Sequence, residues 1–204
     1  MLAAALAGFA MMLSLIVAIG AQNAYVLRQG VLRSHVGPVV LVCAASDVAL
    51  IAAGVSGVGA VVGRHAGLLD VVRWFGVAFL SFYAVAALRR ARHPETLRAA
   101  DGTAVRESGR QVVGRAVALT WLNPHVYLDT VLLVGGIAAT HDDIAGGRWW
   151  FGLGAALGSI LWFALLGFGA GLLAPLLERP RAWQLLEVLI AATMILVAIK
   201  LALG

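Results

Sequence analysis

The chain alternates between long apolar runs and short polar connections. A helix needs about 20 mostly apolar residues to cross a bilayer, and six runs approach that length: about 2–27, 37–62, 68–88, 112–139, 149–177 and 182–203. The pattern predicts a single transmembrane domain over 1–204, with two halves (about 1–88 and 112–204) joined by a hydrophilic loop at about 89–111. A five-span arrangement, in which the first run does not fully cross, stays open.

The composition supports this interpretation. Hydrophobic residues make up 62% of the chain and charged residues 12%, against about 25% charged in a soluble domain. The N-terminal run lacks a basic leader region, so we expect a retained helix rather than a cleaved signal. Cys43 stands alone, which excludes a disulfide or a cysteine-based metal site within one chain. The predicted class is an all-α integral membrane protein, and no cofactor is expected.

The basic residues have an asymmetric distribution that predicts an orientation. Arginines are concentrated in the first, third and fifth connections, above all in the loop at about 89–111, whereas the other side holds Arg64, Arg73, Arg148 and Lys200. The positive-inside rule then places the loop in the cytoplasm and both termini outside. The same rule explains the net charge of +5, so a nucleic-acid partner is not expected.

The two halves resemble each other in the order of their polar positions. Each first run has an asparagine-centred break (22–27 and 123–128), each second run has a polar residue followed by two glycines, and each third run begins with a similar acidic stretch (68–72 and 185–189). In the second runs, Asp47 corresponds to Ser159. Because each half has three predicted spans, the second half enters from the opposite side, which predicts two inverted-topology three-helix repeats, an arrangement typical of transporters.

The stretch at 118–136 is the most unusual part of the pattern. It is apolar enough to cross a bilayer, yet polar residues and a proline interrupt it: Asn123, Pro124, His125, Tyr127 and Asp129. A carboxylate is costly inside a membrane, and proline removes a helical hydrogen bond, so a functional break is predicted here. Asp129 could contact a substrate or pair with Arg148 or a neighbouring helix. His125 and Tyr127 could relay protons or line a path, or serve only in packing.

Two further polar positions lie inside apolar runs. Asp47 is about ten residues into the second run, which places it about 15 Å deep and near mid-bilayer. It could carry a proton, pair with a cationic ligand, or cap a neighbouring backbone break. In the first run, Gly20 can loosen the helix ahead of Gln22 and Asn23. Asn23 and Asn123 could contact a ligand at the breaks, or form simple interhelical hydrogen bonds.

Three stretches together resemble the lysine/arginine exporter family, the LysE and ArgO type within the LysE/RhtB superfamily of amino-acid exporters. They are IGAQNAYVLRQG at 19–30, CAASD at 43–47 and TWLNPHVYLD at 120–129, and the resemblance covers nearly the whole chain. It implies site residues at Gln22, Asn23, Asp47, Asn123, Pro124 and Asp129. The first motif of the family often reads Gly-Pro-Gln-Asn, and here Ala21 occupies the proline position.

The resemblance implies a bacterial inner-membrane secondary transporter, and not an enzyme, that exports L-arginine or L-lysine by proton antiport. Its expected partners are a basic amino acid, protons and the lipid bilayer, with homo-oligomerisation left open. Two alternatives are export of a neutral amino acid or a metal cation by a related protein, and a membrane enzyme or assembly subunit. The mid-span carboxylate makes Asp47 the first candidate for the cation or proton site, with Asp129 second.

Overall fold

Breaks in the apolar runs divide the chain into helices of unequal length. This computed structural model describes residues 1–17, 20–57, 66–92, 108–141, 146–177 and 180–203. Its helices are α1 (Leu2–Ile16), α2 (Ala21–Val31), α3 (Val36–Val55), α4 (Ala66–Arg92), α5 (Gly109–Trp121), α6 (Pro124–Val126), the π-helix π1 (Tyr127–Leu133), α7 (Val134–Ala139), α8 (Gly147–Leu177) and α9 (Pro180–Leu203). Those ranges contain no strand. The prediction of an all-α protein is confirmed.

Each predicted run corresponds to one or more of these helices. The first run is α1 with α2, and the fourth is α5, α6, π1 and α7, so both runs with an asparagine-centred motif are broken. The other four runs form the continuous helices α3, α4, α8 and α9. The central part of the predicted cytoplasmic loop, 93–107, lies outside the described residues. α5 begins after it with a capping box in which Ser108 and Gln111 bond each other's backbone.

Two helices in the described ranges are long and apolar enough to cross a membrane, α3 and the Gly147–Leu172 part of α8. The pair α1 and α2 would form a third span, bent by 82°. α4 and α9 have 27 and 24 residues but are less apolar over their length. The arrangement of six spans in two repeats therefore stays a prediction.

The helices pack in a crossed pattern around α3 and α8. α1 and α2 of the first run lie against α8, while α5, π1 and α7 of the fourth run lie against α3, and α3 also contacts α8. α4 packs along α9, where Arg90 forms two 2.9 Å hydrogen bonds with the buried Glu187 carboxylate and Arg73 donates to the Ala202 carbonyl. Each broken run is thus held by a continuous helix of the other half.

Small residues allow the closest of these crossings, as expected for helices that associate in a membrane. A Cβ atom added at Gly8 would clash with the Phe151 backbone, and one added at Gly154 would clash with the backbone of Ala5. On the other side, Gly54 and Gly135 contact each other directly through their backbones. The glycine-rich sequence therefore brings α1 against α8 and α3 against π1 and α7.

Candidate functional site

The first break separates α1 from α2. α1 ends at Ile16, and Gly20 caps α2 with an extended backbone. The side-chain amide nitrogen of Asn23 donates to the freed carbonyl of Ile16, and the Asn23 oxygen accepts a 3.3 Å hydrogen bond from Trp162 on α8. Asn23 therefore stabilises the break by satisfying a carbonyl that the interrupted helix leaves without its usual partner.

The second break lies between α5 and α6. α5 ends at Trp121, and the side-chain oxygen of Asn123 accepts a 3.1 Å hydrogen bond from the His125 backbone N–H. Asn123 thus acts as a helix N-cap. Pro124 follows at the first helical position, where a backbone N–H would have no partner within the helix, so its absence in proline costs no hydrogen bond. The new helix continues as π1. π-helical turns are rare in proteins, and those that occur are often found at functional sites.

A cavity of about 110 Å³ lies between the two breaks. This volume exceeds several-fold the roughly 10–15 Å³ that one water molecule needs. Leu80 of α4 and Thr193 and Met194 of α9 contribute to its wall. Five predicted site residues also line it, from both halves of the chain: Gln22, Asn23, Asn123, His125 and Asp129.

The side chains of His125 and Asp129 are paired at this cavity. His125 Nδ1 lies 2.7 Å from Asp129 Oδ2, and the two side chains are 40% and 26% exposed. The structure therefore pairs Asp129 with a histidine one turn away on its own helix. The pair places a carboxylate and a group that can become cationic side by side at a surface that a ligand can reach.

Asp47 lies behind the cavity rather than on its wall. Its side chain is 2% exposed, and Ser159 on α8 donates a 2.8 Å hydrogen bond to its Oδ2. Asp47 Oδ1 and Gln22 Nε2 are buried and make no hydrogen bond of normal geometry among the described residues, although the Gln22 side chain lies close enough to interact with the Asp47 carboxyl. These atoms are an acceptor and a donor, and Gln22 also lines the cavity. Gln22 is thus a polar residue between the cavity and the buried carboxylate.

Tyr127 contacts the end of the broken helix. Its hydroxyl donates a 2.8 Å hydrogen bond to the Trp121 carbonyl, which is left free by the second break. The Trp121 indole in turn donates to Ser46 on α3. Tyr127 is not among the described residues that line the cavity, so its contact here is with the broken helix end.

The described residues contain no group of three or more His, Cys, Asp or Glu side chains that could hold a metal ion. The site contains amide groups, one histidine–aspartate pair and one buried carboxyl. Such groups bind charged and hydrogen-bonding solutes and exchange protons, which agrees with a site for a small polar ligand.

The family model for LysE type translocators matches residues 13–204. The chain belongs to the LysE family. This LysE-family protein is 47% identical over 188 residues to a proposed amino-acid transporter of Mycobacterium tuberculosis. The aligned residues make up 92% of this chain and 91% of the relative. The chain is 36% identical over 225 residues to the lysine exporter LysE of Corynebacterium diphtheriae (97% of each chain) and 37% identical over 214 residues to that of Corynebacterium efficiens (92% and 93%).

The resemblance to the lysine exporter family is thereby confirmed, and this LysE-family protein is a transporter and not an enzyme. The family and the apolar helices indicate a translocator of the bacterial inner membrane. No solved structure matches the chain.

Several residues of the LysE-family site were not predicted as such. Ser159 had a signal, because it aligns with Asp47 between the two halves, but a serine in an apolar helix indicates no particular role. Leu80, Thr193 and Met194 have no signal, since nothing in an apolar helix identifies the residues that face a cavity. Their contribution depends on how α4 and α9 pack beside the breaks.

Proposed function

We propose that the protein exports basic amino acids, L-arginine or L-lysine, from the cytoplasm in exchange for protons. The observation that carries this proposal is the cavity between the two helix breaks, where Asp129 lies beside amide groups from both halves of the chain. The two corynebacterial relatives that are named lysine exporters support a basic substrate. Exchange for protons rests on the titratable side chains at and behind the cavity.

The polar groups of the cavity suit a zwitterion with a cationic side chain. Asp129 would receive the guanidinium or ammonium group, because a charge-assisted hydrogen bond to a carboxylate is roughly twice as strong as a neutral one. Gln22 would contact the backbone carboxylate or amine, since its Nε2 has no partner among the described residues. The Asn23 amide already makes hydrogen bonds that hold the first break, so we assign it mainly to shaping the site.

Asp47 is the proposed second acidic site, for a proton or a cation. Its buried position and unpartnered Oδ1 favour a ligand that binds there during part of the cycle. Expelling a +1 amino acid against an inside-negative potential costs about 2.3 kcal/mol per 100 mV. An inward proton flux is therefore the expected source of energy. With one proton per substrate only the pH gradient drives export, whereas two protons also recruit the potential.

The proposed architecture is six spans in two inverted repeats, with both termini outside and the loop at about 89–111 in the cytoplasm. The crossed packing supports it, since the first run lies on α8 and the fourth run lies on α3. The hydrogen bond between Asp47 and Ser159 joins two positions that correspond in the sequence comparison of the halves. Positions near a pseudo-twofold axis are expected to meet in this way.

Export measured with three substrates tests the proposed function. Cells with and without the protein are loaded with arginine, lysine or a neutral analogue of similar size, and the appearance of each outside is followed. We expect faster export of arginine or lysine in cells that hold the protein and no change for the neutral analogue. Equal export of all three, or export of the neutral analogue alone, would reject a basic substrate.

A further inference from the structure

The His125–Asp129 pair is the part of the cavity that a cationic ligand would disturb. The pair is joined at 2.7 Å, and both residues line the cavity. A guanidinium or ammonium group that enters the cavity needs an anionic partner, because a charge away from water is costly unless it is paired. Asp129 offers that partner, but the imidazole of His125 already occupies one of its oxygens.

The surroundings leave Asp129 with few competing charges. The lining residues from α1, α2, α4 and α9 that the structure describes carry no titratable side chain. The Asp47 carboxyl on α3 interacts electrostatically with Asp129. Asp47 itself is buried behind the cavity and does not line it. Among these described neighbours, His125 is therefore the group that can supply a positive charge to Asp129 when the cavity is empty.

We propose that protonated His125 and the cationic side chain of the substrate compete for Asp129, so that this pair is the site where a proton is exchanged for substrate. The proposal rests on the proposed function. Histidine suits this role because its charge changes between about pH 5 and 8. Asparagine or glutamine at position 125 could hold a hydrogen bond to Asp129 but could not carry the proton.

The exchange balances in charge and in protons. On the cytoplasmic side, the substrate cation binds Asp129, and the displaced imidazolium releases its proton to the cytoplasm. On the outside, the substrate leaves, and the imidazole takes up an external proton and pairs with Asp129 again. One proton enters for each cation exported, so this site alone moves no net charge and responds to the pH gradient.

A purely structural role for the pair makes a different prediction. Side chains four residues apart on a helix can stabilise it slightly when their charges are opposite. If His125 only supported the helix, replacing it would lower stability slightly and leave the coupling between protons and substrate unchanged. The test therefore needs a readout of coupling as well as a readout of transport.

The experiment compares the wild-type protein with His125→Gln in proteoliposomes. The matched control is His141→Gln, because His141 stacks on Phe151 at a centroid distance of 4.9 Å and is not among the described residues that line the cavity. Three quantities are measured: arginine counterflow without a gradient, arginine accumulation driven by a pH gradient, and proton release when arginine is added to the purified protein in weak buffer.

We expect gradient-driven accumulation by His125→Gln, divided by the counterflow rate of the same variant, to fall about tenfold or more relative to the wild type, because glutamine cannot carry the exchanged proton. Proton release should be present in the wild type and in His141→Gln and absent in His125→Gln.

Equal accumulation and equal proton release in the wild type and in His125→Gln would overturn the proposal. If the wild type itself shows no counterflow of arginine or lysine, the proposed function fails instead. If His125→Gln does not fold, absence of proton release by the wild type still overturns the proposal.

Discussion

Asp47 combines deep burial with incomplete hydrogen bonding. One carboxyl oxygen accepts from Ser159, and the other has no partner among the described residues. A buried polar atom without a partner destabilises a protein by about 1–3 kcal/mol, so a ligand that binds Oδ1 would remove this cost. A bound proton or cation would give Oδ1 a partner. A purely structural role, in which Asp47 only caps a neighbouring backbone break, would leave Oδ1 without one.

Replacing Asp47 with asparagine tests that use. Asp47→Asn keeps the shape of the side chain and can still accept from Ser159, but it cannot bind a proton or carry a negative charge. We expect proton-coupled arginine export to fall about tenfold or more, with normal amounts of protein in the membrane. Labelled arginine transport in membrane vesicles measures the effect.

Asp70→Asn is the matched control for this prediction. Asp70 lies on α4 and is exposed, so its replacement should leave both export and insertion unchanged. Export by Asp47→Asn at the rate of the control would show that Asp47 has no role in coupling.

Among the helices, the sequence predicted the positions of both breaks but not their form. Pro124 cannot continue α5, and Gly20, a poor helix former, lies directly before α2. The 82° bend between α1 and α2 and the π-helical turn of π1 are found where these helices pack on α8 and α3. Local sequence does not encode that packing, and for the same reason the wall residues from α4 and α9 gave no signal.

The crossing of α3 with π1 and α7 is tight enough to test by adding one methyl group. A Cβ atom at Gly54 would lie 2.8 Å from the Val131 carbonyl oxygen and 2.7 Å from that of Thr130. Backbone atoms cannot easily move away, so Gly54→Ala should destabilise the protein by about 1–3 kcal/mol. A lower thermal unfolding midpoint in detergent would be the observable result.

Gly136→Ala provides the comparison for that crossing, because nothing described lies within 4 Å of the added Cβ atom. Alanine favours a helix over glycine by up to about 1 kcal/mol, so this variant should be as stable as the wild type or slightly more so. Equal midpoints for Gly54→Ala and Gly136→Ala would contradict the close approach of α3 to π1.

For the molecule as a whole, the proposed orientation depends on arginines rather than on helix packing. Inverted repeats place the connections before and after each half on opposite sides of the membrane. The six-span and five-span arrangements differ in the side of the membrane on which the N-terminus lies. The side of the membrane on which each connection lies must be measured directly.

Single cysteines at three exposed positions measure the orientation: Leu2→Cys, Ser108→Cys and Thr140→Cys. The native Cys43 is buried and should react little. In right-side-out vesicles, a maleimide that cannot cross the membrane should label positions 2 and 140 but not 108, and inside-out vesicles should give the reverse. Labelling of position 2 only in inside-out vesicles would favour five spans.

The hydrogen bond between Asp47 and Ser159 joins the two halves of the chain where α3 meets α8. If the halves are equivalent, the residues nearest their common axis face their own counterparts. Two identical carboxyls there would repel each other when both are ionised, and two serines would hold no charge. An acid in one half and a hydroxyl in the other avoids both outcomes. Under the proposed repeat, the difference between Asp47 and Ser159 gives the centre one carboxyl, held by a hydroxyl of the other half.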